Sequence, residues 1–224
     1  MNIVFEGVNG SGKTTAINGL IKFLNKKGVK YNYISDLETD TPLNSVLQKM
    51  FSDSVFLELN QEFKTSLFES LVLAADHHYI QEMHRKDKGI IIYDRDFISV
   101  LAYQKDIIKK EYEDWENFFN PFREIMTYQL KNIDLLCYVS VPIEENIRRT
   151  EVRDNRKFSE EEKQIIINLK NNMEEEIENF CRKTNTPCLS IDGRAPAEDI
   201  TRQILNGIKE VKNNSKHENK EKTM

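Results

Sequence analysis

Short runs of apolar residues alternate with longer segments of helical periodicity along the 224-residue chain. Consecutive apolar residues are typical of strands buried on both faces, whereas apolar residues spaced by three and four indicate the buried face of a helix. The apolar runs predict strands at residues 3–5, 31–34, 90–93, 135–139 and 188–191. The periodic segments predict helices at 16–26, 41–51, 64–86, 111–130 and 196–211, with another after Ser159. This alternation predicts an α/β fold built on a parallel sheet.

Capping signals locate several ends of these helices. Gly28 is a candidate C-cap of the first helix, and Pro142 suits the first turn of a helix after the fourth strand. Ser159 and Glu162 have the spacing of a capping box. We interpret the aromatic residues of segment 111–130 as packing residues rather than a cofactor site. The polar end of the chain has no apolar period, which predicts one domain over residues 1–211 and a disordered tail over 212–224.

Composition and charge exclude several classes of partner. The net charge is −5 and the sequence pI is about 5.6, so we expect no binding to long nucleic acid. No apolar run reaches the ~18 residues that a membrane-spanning helix needs. The three cysteines, Cys137, Cys181 and Cys188, have no metal-ligand spacing and are expected to be free thiols in a reducing compartment. With no secretory leader before the first strand, the expected location is the cytoplasm.

The first strand and the first helix are joined by Gly7-Val8-Asn9-Gly10-Ser11-Gly12-Lys13-Thr14. This is the G-x-x-x-x-G-K-[ST] pattern of a phosphate-binding loop, in its expected context of strand, turn and helix. Glycines let backbone N–H groups surround the phosphates, and the helix N-terminus adds the positive end of its dipole. We expect Lys13 to reach the β- and γ-phosphates and the Thr14 hydroxyl to hold Mg²⁺. The loop therefore predicts binding of a nucleoside triphosphate.

Asp94 and Arg95 directly follow the third predicted strand. Ligands of open parallel sheets bind beyond the carboxyl ends of the strands, so this pair should lie beside the phosphate loop. There, Asp94 can hold Mg²⁺ directly or through water, and Arg95 can bridge the donor and acceptor phosphoryl oxygens. A surface ion pair is the alternative interpretation, but the phosphate loop favours the functional one.

A second basic cluster follows the fourth strand and comprises Arg148, Arg149, Arg153, Arg156 and Lys157. Spacings of three and four predict that Arg149, Arg153 and Arg156 share one helical face. A run of this kind is more often a solvated face. Here, however, the polar break Asp154-Asn155 and the capped helix that follows are consistent with a mobile lid, at about residues 149–158, that closes over a triphosphate.

Several stretches together resemble the thymidylate kinase family. Residues 5–15 look like its phosphate loop, and Leu73-Ala74-Ala75-Asp76 looks like the signature of its third helix. Asp94-Arg95 with Ser99, Ala102, Tyr103 and Gln104 is similar to its Asp-Arg-Tyr…Ser-x-x-Ala-Tyr-Gln block. Ile133-Asp134-Leu135, the arginine lid and Ile191-Asp192-Gly193 follow in the family's order. The resemblance covers residues 1 to about 211 and is more specific for the fold than for the substrate.

The resemblance implies a P-loop kinase fold with a five-stranded parallel sheet, ATP and Mg²⁺ as donor and metal, and a nucleotide acceptor. Lys13 and Arg95 would be the main positive charges at the transferring phosphoryl group, and Arg153 and Arg156 would join them when the lid closes. Because Ser11 is not basic, the lid must supply that charge. The ATP site would comprise Gly7, Asn9, Gly10, Ser11, Gly12, Lys13, Thr14, Thr15 and Arg149, the last near adenine, with Thr14 and Asp94 at the metal.

On the acceptor side, the resemblance places Ser99, Tyr103, Gln104 and Arg95 at the second substrate, with Asn9 at its sugar hydroxyl. It also implies a homodimer formed through the long third helix. Several acceptor positions nevertheless depart from the family pattern. Asn9 stands where the family has Asp, and Asp96 stands where it has Tyr. Asp36 replaces the Arg that binds the acceptor's phosphate. Leu73 replaces the Phe that stacks on thymine, and His77 replaces the Arg that contacts the base.

Three functions remain open on the sequence alone. The first is a kinase that transfers the γ-phosphate of ATP to a nucleoside monophosphate, dTMP or a related one. The second is a kinase for a hydroxyl acceptor such as a deoxynucleoside, because Asp36 or Glu38 could serve as a general base; both could equally be ordinary loop carboxylates. The third is a non-catalytic regulator that responds to bound nucleotide, against which the arginines argue. His77, likewise, is either an acceptor contact or a packed or solvated helix residue.

Overall fold

The structure is a computed structural model and describes residues 1–35, 41–50, 66–129 and 132–221. The strands are β1 (Asn2–Glu6), β2 (Tyr31–Ile34), β3 (Ile90–Asp94), β4 (Leu135–Ser140) and β5 (Cys188–Asp192). The helices are α1 (Lys13–Lys26), α2 (Asn44–Met50), α3 (Ser66–His84), α4 (Phe97–Glu111), α5 (Trp115–Gln129), α6 (Ile143–Asp154), α7 (Glu160–Thr184) and α8 (Ala197–Glu221).

The five strands form one parallel sheet in the order β2-β3-β1-β4-β5. The predicted fold class is therefore confirmed, and each predicted strand agrees with an observed one to within a residue at either end. The central strands are the most apolar because helices cover both of their faces. In the register of β1 with β3, Phe5 pairs with Asp94. The residues that follow these two strands are consequently neighbours at the carboxyl edge of the sheet.

Each face of the sheet has its own hydrophobic core. On one face, α1 and α8 pack residues such as Leu20 and Ile204 against the sheet. On the other face, α3, α4, α5 and α7 bury residues such as Phe97, Phe119 and Met173. The Trp115 ring packs 5.7 Å from that of Phe119, which supports the packing interpretation of the α5 aromatics.

The structure differs from the predicted elements at three helices, α4, α5 and α8. Helix α4 is a separate element that the apolar pattern does not reveal, because its first six residues, 97–102, are all buried and show no polar face. Segment 111–130 is accordingly not one helix: α4 ends at Glu111, Tyr112 is extended, and α5 begins at Trp115. Helix α8 is assigned as far as Glu221, past Val211 at which the predicted apolar stripe ends.

The capping box at Ser159 is present in full. The Ser159 hydroxyl accepts from the Glu162 backbone N–H at 3.2 Å, and the Glu162 carboxylate accepts from the Ser159 backbone N–H at 2.8 Å. Pro142 is the residue that precedes α6. Over the ranges that the structure describes, no helix has both the length and the apolar character needed to cross a bilayer.

Candidate active site

The phosphate loop joins β1 to α1 and is held by α6. Gly10 has a φ of +77°, and a side chain there would lie 2.8 Å from both the Asn146 carbonyl oxygen and the Thr150 hydroxyl. The Asn146 amide also donates a hydrogen bond to the Asn9 carbonyl oxygen at 2.8 Å. Glycine is required at this point because α6 packs directly on the loop backbone. Sequence reasoning missed Asn146 and Thr150, which carry no motif of their own.

Side chains at the start of α1 suit a phosphate chain. The Ser11 hydroxyl is buried and has no hydrogen-bond partner within the described part of the chain. Lys13 is 9% exposed, and its ammonium contacts the Asp94 carboxylate at the end of β3. Thr14 and Thr15 are exposed beside it. A buried hydroxyl, a lysine and a helix N-terminus are together the donors that phosphate oxygens accept from, so the loop fits a nucleotide.

Asp94 and Arg95 lie beside this loop, as the sequence predicts. The Asp94 carboxylate accepts from the Tyr33 hydroxyl at 3.1 Å in addition to contacting Lys13. The Arg95 guanidinium donates to the Asn9 side chain at 3.0 Å and to the Ser99 hydroxyl at 3.2 Å. One arginine therefore joins the phosphate loop to α4.

The backbone of Arg95 has a φ of +73°, which is unfavourable for a residue with a side chain. Its guanidinium also lies 5.4 Å from the centre of the Tyr103 ring, within range of a cation–π interaction. Strained backbone of this kind persists only where the surroundings hold it, and it is concentrated at functional sites. Arg95 is 7% exposed, so water screens its charge little and the charge interacts more strongly with nearby anionic groups.

Glu6, the last residue of β1, is a member of the site that sequence reasoning missed. It is fully buried, and it accepts hydrogen bonds from the first turn of α4. Burial raises the pKa of its carboxyl group to about 7, an effect that the Ser99 hydrogen bond and the Arg95 charge oppose. An acidic residue that directly follows an apolar strand and precedes the phosphate loop is the signal that could have identified it.

Arg149 is the lid arginine that the structure brings to the phosphate loop. Its guanidinium donates to the Gly193 carbonyl oxygen at 3.1 Å and to the Gly10 carbonyl oxygen at 3.4 Å, while Glu145 accepts from its Nε at 2.6 Å. It thereby links the loop after β5 to the phosphate loop. The resemblance places Arg149 and the backbone after Ile191 near adenine, and this stays a prediction.

Arg153 and Arg156 are not joined to the loop by any contact among the described residues. Arg153 is exposed and pairs with Asp154, and Arg156 pairs with Glu162 at 2.6 Å. The prediction that Arg149, Arg153 and Arg156 share one helical face is wrong for Arg156. Helix α6 ends at Asp154 because Asn155 adopts the left-handed conformation, with φ +50°. Closure of the lid onto a nucleotide stays a prediction.

The candidate acceptor side is a recess beyond the ends of β2 and β3, lined by Ile34, Ser35, Asp76, His77, Ile80, Tyr93, Arg95 and Asp96. The Asp96 carboxylate organises one wall: it lies 3.4 Å from His77 Nδ1 and accepts from Gln81 at 2.9 Å. Asp76 accepts from the Thr41 hydroxyl and ties the segment before α2 to α3. His77 thus lies in the recess and also packs against the Phe97 ring, and its role as an acceptor contact stays a prediction.

Other predicted acceptor residues lie elsewhere. Leu73 is 8% exposed within the core, and Gln104 is 1% exposed, with its amide oxygen accepting from Ser70 at 3.1 Å. Ser99 and Tyr103 contact Arg95 rather than line the recess. Asp36 and Glu38 lie outside the described residues. Within the ranges that the structure covers, no three His, Cys, Asp or Glu side chains gather as a metal site.

Gly193 should be essential for the nucleotide site. A side chain at Gly193 would lie 1.8 Å from the Ser11 carbonyl oxygen, so Gly193→Ala must displace the phosphate loop. We expect a loss of ATP affinity of roughly 5- to 150-fold, since overpacking of this kind costs roughly 1–3 kcal/mol. Isothermal titration calorimetry measures it, with Gly207→Ala as the control because a side chain there stays 3.5 Å from its neighbours. An unchanged ATP affinity in Gly193→Ala would contradict the close contact.

Comparisons with known proteins agree with this geometry. A family model described as thymidylate kinase matches residues 5–204. A probable thymidylate kinase of Methanobrevibacter smithii is 28% identical over 182 residues, covering 79% of this chain and 84% of that protein. A thymidylate kinase of Prochlorococcus marinus is 32% identical over 171 residues, covering 75% of this chain and 79% of that protein.

The fold is also similar to that of a solved structure. The deoxyadenosine kinase from M. mycoides with bound dATP has a TM-score of 0.58 and 18% identity, with 93% of this chain and 100% of that chain covered. This likeness shows the fold, whereas the family is shown by the family model and the relatives. The chain therefore belongs to the thymidylate kinase family and is an ATP-dependent kinase that phosphorylates a nucleoside monophosphate.

Proposed function

We propose that the chain transfers the γ-phosphate of ATP to dTMP or a closely related deoxynucleoside monophosphate. The observation that carries this proposal is the position of Arg95. Its guanidinium contacts the phosphate loop through Asn9, and the residue also lines the acceptor recess. An arginine between the two substrates can balance charge on both the donor and the acceptor phosphates.

The donor side is assigned to the phosphate loop. Backbone N–H groups from Gly7 to Gly12 surround the phosphates, Lys13 reaches the β- and γ-phosphates, and Thr14 and Asp94 hold Mg²⁺. Mg²⁺ usually keeps several waters and needs only one or two protein ligands besides the phosphates, which suits this small set. When bound, Mg-ATP supplies the transferable phosphoryl group and neutralises part of its charge.

On the acceptor side, His77 and Asp96 are proposed to face the nucleoside. The Asp96 carboxylate lies 3.4 Å from His77 Nδ1 and accepts a hydrogen bond from Gln81, and these contacts make the wall polar. A hydrogen-bonding wall of this kind discriminates among bases by their exocyclic groups. His77 and Asp96 stand where the family pattern has an arginine and a tyrosine. The acceptors to test first are therefore dTMP and its close relatives, not dTMP alone.

A panel of acceptors tests the proposal. The full chain with Mg-ATP is incubated with dTMP, dUMP, dCMP, dAMP and dGMP and, in parallel, with the matching deoxynucleosides, and ADP release and products are quantified. We expect turnover with at least one of the monophosphates, dTMP or dUMP first, and none with their nucleosides. A Lys13→Ala sample prepared in the same way corrects for contaminating kinases. Turnover of nucleosides alone would overturn the proposal in favour of a hydroxyl acceptor.

We further propose that the enzyme acts in the cytoplasm as a homodimer. The exposed face of α3 carries Phe68, Leu71, Tyr79 and Met83, each between 42% and 51% exposed. Apolar side chains at helical spacing on a surface favour association. The proposed domain spans residues 1–211 with a lid at about 149–158. Sedimentation of the full chain checks the dimer, and Leu71→Glu should shift it to the monomer.

A further inference from the structure

We propose that Glu6 is a positioning residue for phosphoryl transfer: its carboxylate holds Ser99 and the turn before α4, and so fixes the Arg95 guanidinium. This inference rests on the proposed function. Glu6 Oε1 accepts from the backbone N–H groups of Asp96 at 3.0 Å and Ser99 at 3.2 Å. Glu6 Oε2 accepts from the Ser99 hydroxyl at 2.5 Å. A carboxylate with 0% exposure is stable only where donors such as these satisfy it.

Ser99 connects the carboxylate to the arginine. Its hydroxyl donates to Glu6 and accepts from Arg95 Nη1 at 3.2 Å, so one oxygen is shared by both. Chains of hydrogen bonds like this one polarise each other in a low-dielectric interior. Removing the negative charge from Glu6 should therefore loosen the hold of Ser99 on the guanidinium.

The backbone around Arg95 is anchored to the end of the same strand. The Arg95 N–H donates to the Phe5 carbonyl oxygen at 2.9 Å, and the next N–H, that of Asp96, donates to Glu6. The left-handed conformation of Arg95 is thus held on both sides by β1. Since β1 leads directly into the phosphate loop, Glu6 links the position of the arginine to the position of the bound phosphates.

The charge of Glu6 should change within the working pH range. Burial raises the pKa of its carboxyl group to about 7, and the Asp96 carboxylate raises it further. The Ser99 hydrogen bond, the Arg95 guanidinium and the Asp96 N–H act in the opposite direction. From α3, His77 faces Asp96 at 3.4 Å. As pH falls through about 7, Glu6 gains a proton, the hold on Ser99 weakens, and kcat is expected to fall.

Stability should respond to pH in the opposite sense. The native state holds the Glu6 proton up to about pH 7, whereas an unperturbed glutamate loses it near 4.5. The protonated group therefore contributes stability that is fully present below about 4.5 and is lost as pH rises through about 7. A difference of this sign between wild type and Glu6→Gln identifies the titrating group without any measurement of turnover.

The experiment compares the pH profiles of kcat in wild type, Glu6→Gln and Ser99→Ala. We expect the kcat of wild type to fall as the pH drops through about 7, and we call this fall the acid limb. Glu6→Gln should lack the acid limb. Ser99→Ala should move it to higher pH, because the Ser99 hydrogen bond lowers the pKa of Glu6. Glu6→Gln should lower the plateau of kcat by roughly 10- to 100-fold, the range for a displaced catalytic group. Ionisation of the substrate phosphates is common to all variants and cancels in the comparison.

Glu69→Gln is the matched control. Glu69, on α3, is also buried, and burial raises its pKa to about 6, but it interacts with Gln104 rather than Ser99. This variant should keep the limb near pH 7. In an Arg95→Ala background, Glu6→Gln should have little further effect on kcat, because a positioning residue acts only through the group it positions. If Glu6→Gln lowers kcat in the Arg95→Ala background as much as it does in wild type, the inference is overturned.

A measurement without turnover separates this inference from the proposed function. The Arg95 side-chain N–H signal in ¹⁵N NMR, identified by its absence in Arg95→Ala, should be sharp in wild type above pH 7 and broadened in Glu6→Gln. If wild type phosphorylates no acceptor, the proposed function fails, and the NMR comparison still decides for or against Glu6. An Arg95 signal that is identical in wild type and Glu6→Gln would sink the positioning role, and so would an unchanged acid limb.

Discussion

Arg95→Ala should lower kcat by roughly 10³- to 10⁵-fold, the range by which a single arginine stabilises transferring phosphoryl charge. The expectation follows from geometry: the guanidinium is 7% exposed and contacts the side chains of Asn9 and Ser99, between the phosphate loop and the acceptor recess. A charge held in a buried, preorganised position needs no reorganisation when the transition state forms. ATP affinity should change much less, because the phosphate loop supplies most of the donor contacts.

Steady-state kinetics with saturating ATP and dTMP, and calorimetry for ATP, measure these effects separately. Arg202→Ala is the matched control, since Arg202 is exposed on α8 and pairs only with Asp199 among its described contacts. Arg95→Lys should restore little of the loss, because lysine keeps the charge but cannot donate to Asn9 and Ser99 in the same fixed geometry. Full turnover in Arg95→Ala with weakened ATP binding would show that the arginine serves the donor alone.

The strand-turn-helix geometry of the phosphate loop could be predicted from the sequence because it depends on local patterns. A strand, a glycine-rich turn and a helix are contiguous between Asn2 and Lys26, which is the structural context that the motif predicts. The neighbouring position of Asp94 and Arg95 also followed, since carboxyl ends of parallel strands share one edge. In the structure, Phe5 near the end of β1 pairs with Asp94 at the end of β3, so the residues that follow both strands are neighbours.

The interactions that hold the site depend instead on contacts between distant segments. Glu6 and Ser99 are 93 positions apart, and Asn146 meets Asn9 across 137 positions. No periodicity in one sequence reveals such pairs. Helix α4 was missed for a related reason: its first turns are buried on all sides, so the apolar run that they form cannot be distinguished from a strand. Arg156 was misplaced because a left-handed residue, Asn155, ends the helix before it.

Membership of the thymidylate kinase family resolves part of what the sequence left open. A regulator without catalysis is the least consistent of the three functions, since the family and the relatives are nucleotide kinases. The wall of the recess depends on Asp96, whose carboxylate both caps α4 and contacts His77. One carboxylate therefore joins the wall of the recess to the turn that presents Arg95.

Lys13→Ala should reduce turnover by about 10²- to 10³-fold or more, the loss for removing one preorganised positive donor from a developing charge. Lys13 is the first residue of α1, and its ammonium contacts the Asp94 carboxylate. With phosphates bound, the same ammonium is within the loop that holds them, so its loss removes charge at the β- and γ-phosphates. Unlike Arg95→Ala, this variant should also weaken ATP binding, because Lys13 acts on the donor in the ground state as well.

The contact with Asp94 makes a second comparison necessary. In Lys13→Ala the Asp94 carboxylate, 9% exposed, keeps its hydrogen bond from Tyr33 but loses its cation, and a buried carboxylate without a counter-ion destabilises the fold. Lys13→Ala/Asp94→Asn removes both charges, so it should regain stability in urea unfolding without regaining turnover. Lys22→Ala, on the exposed side of the same helix, should match wild type in both. If the double variant recovers turnover as well as stability, Lys13 serves to neutralise Asp94, and its assignment to the phosphates is wrong.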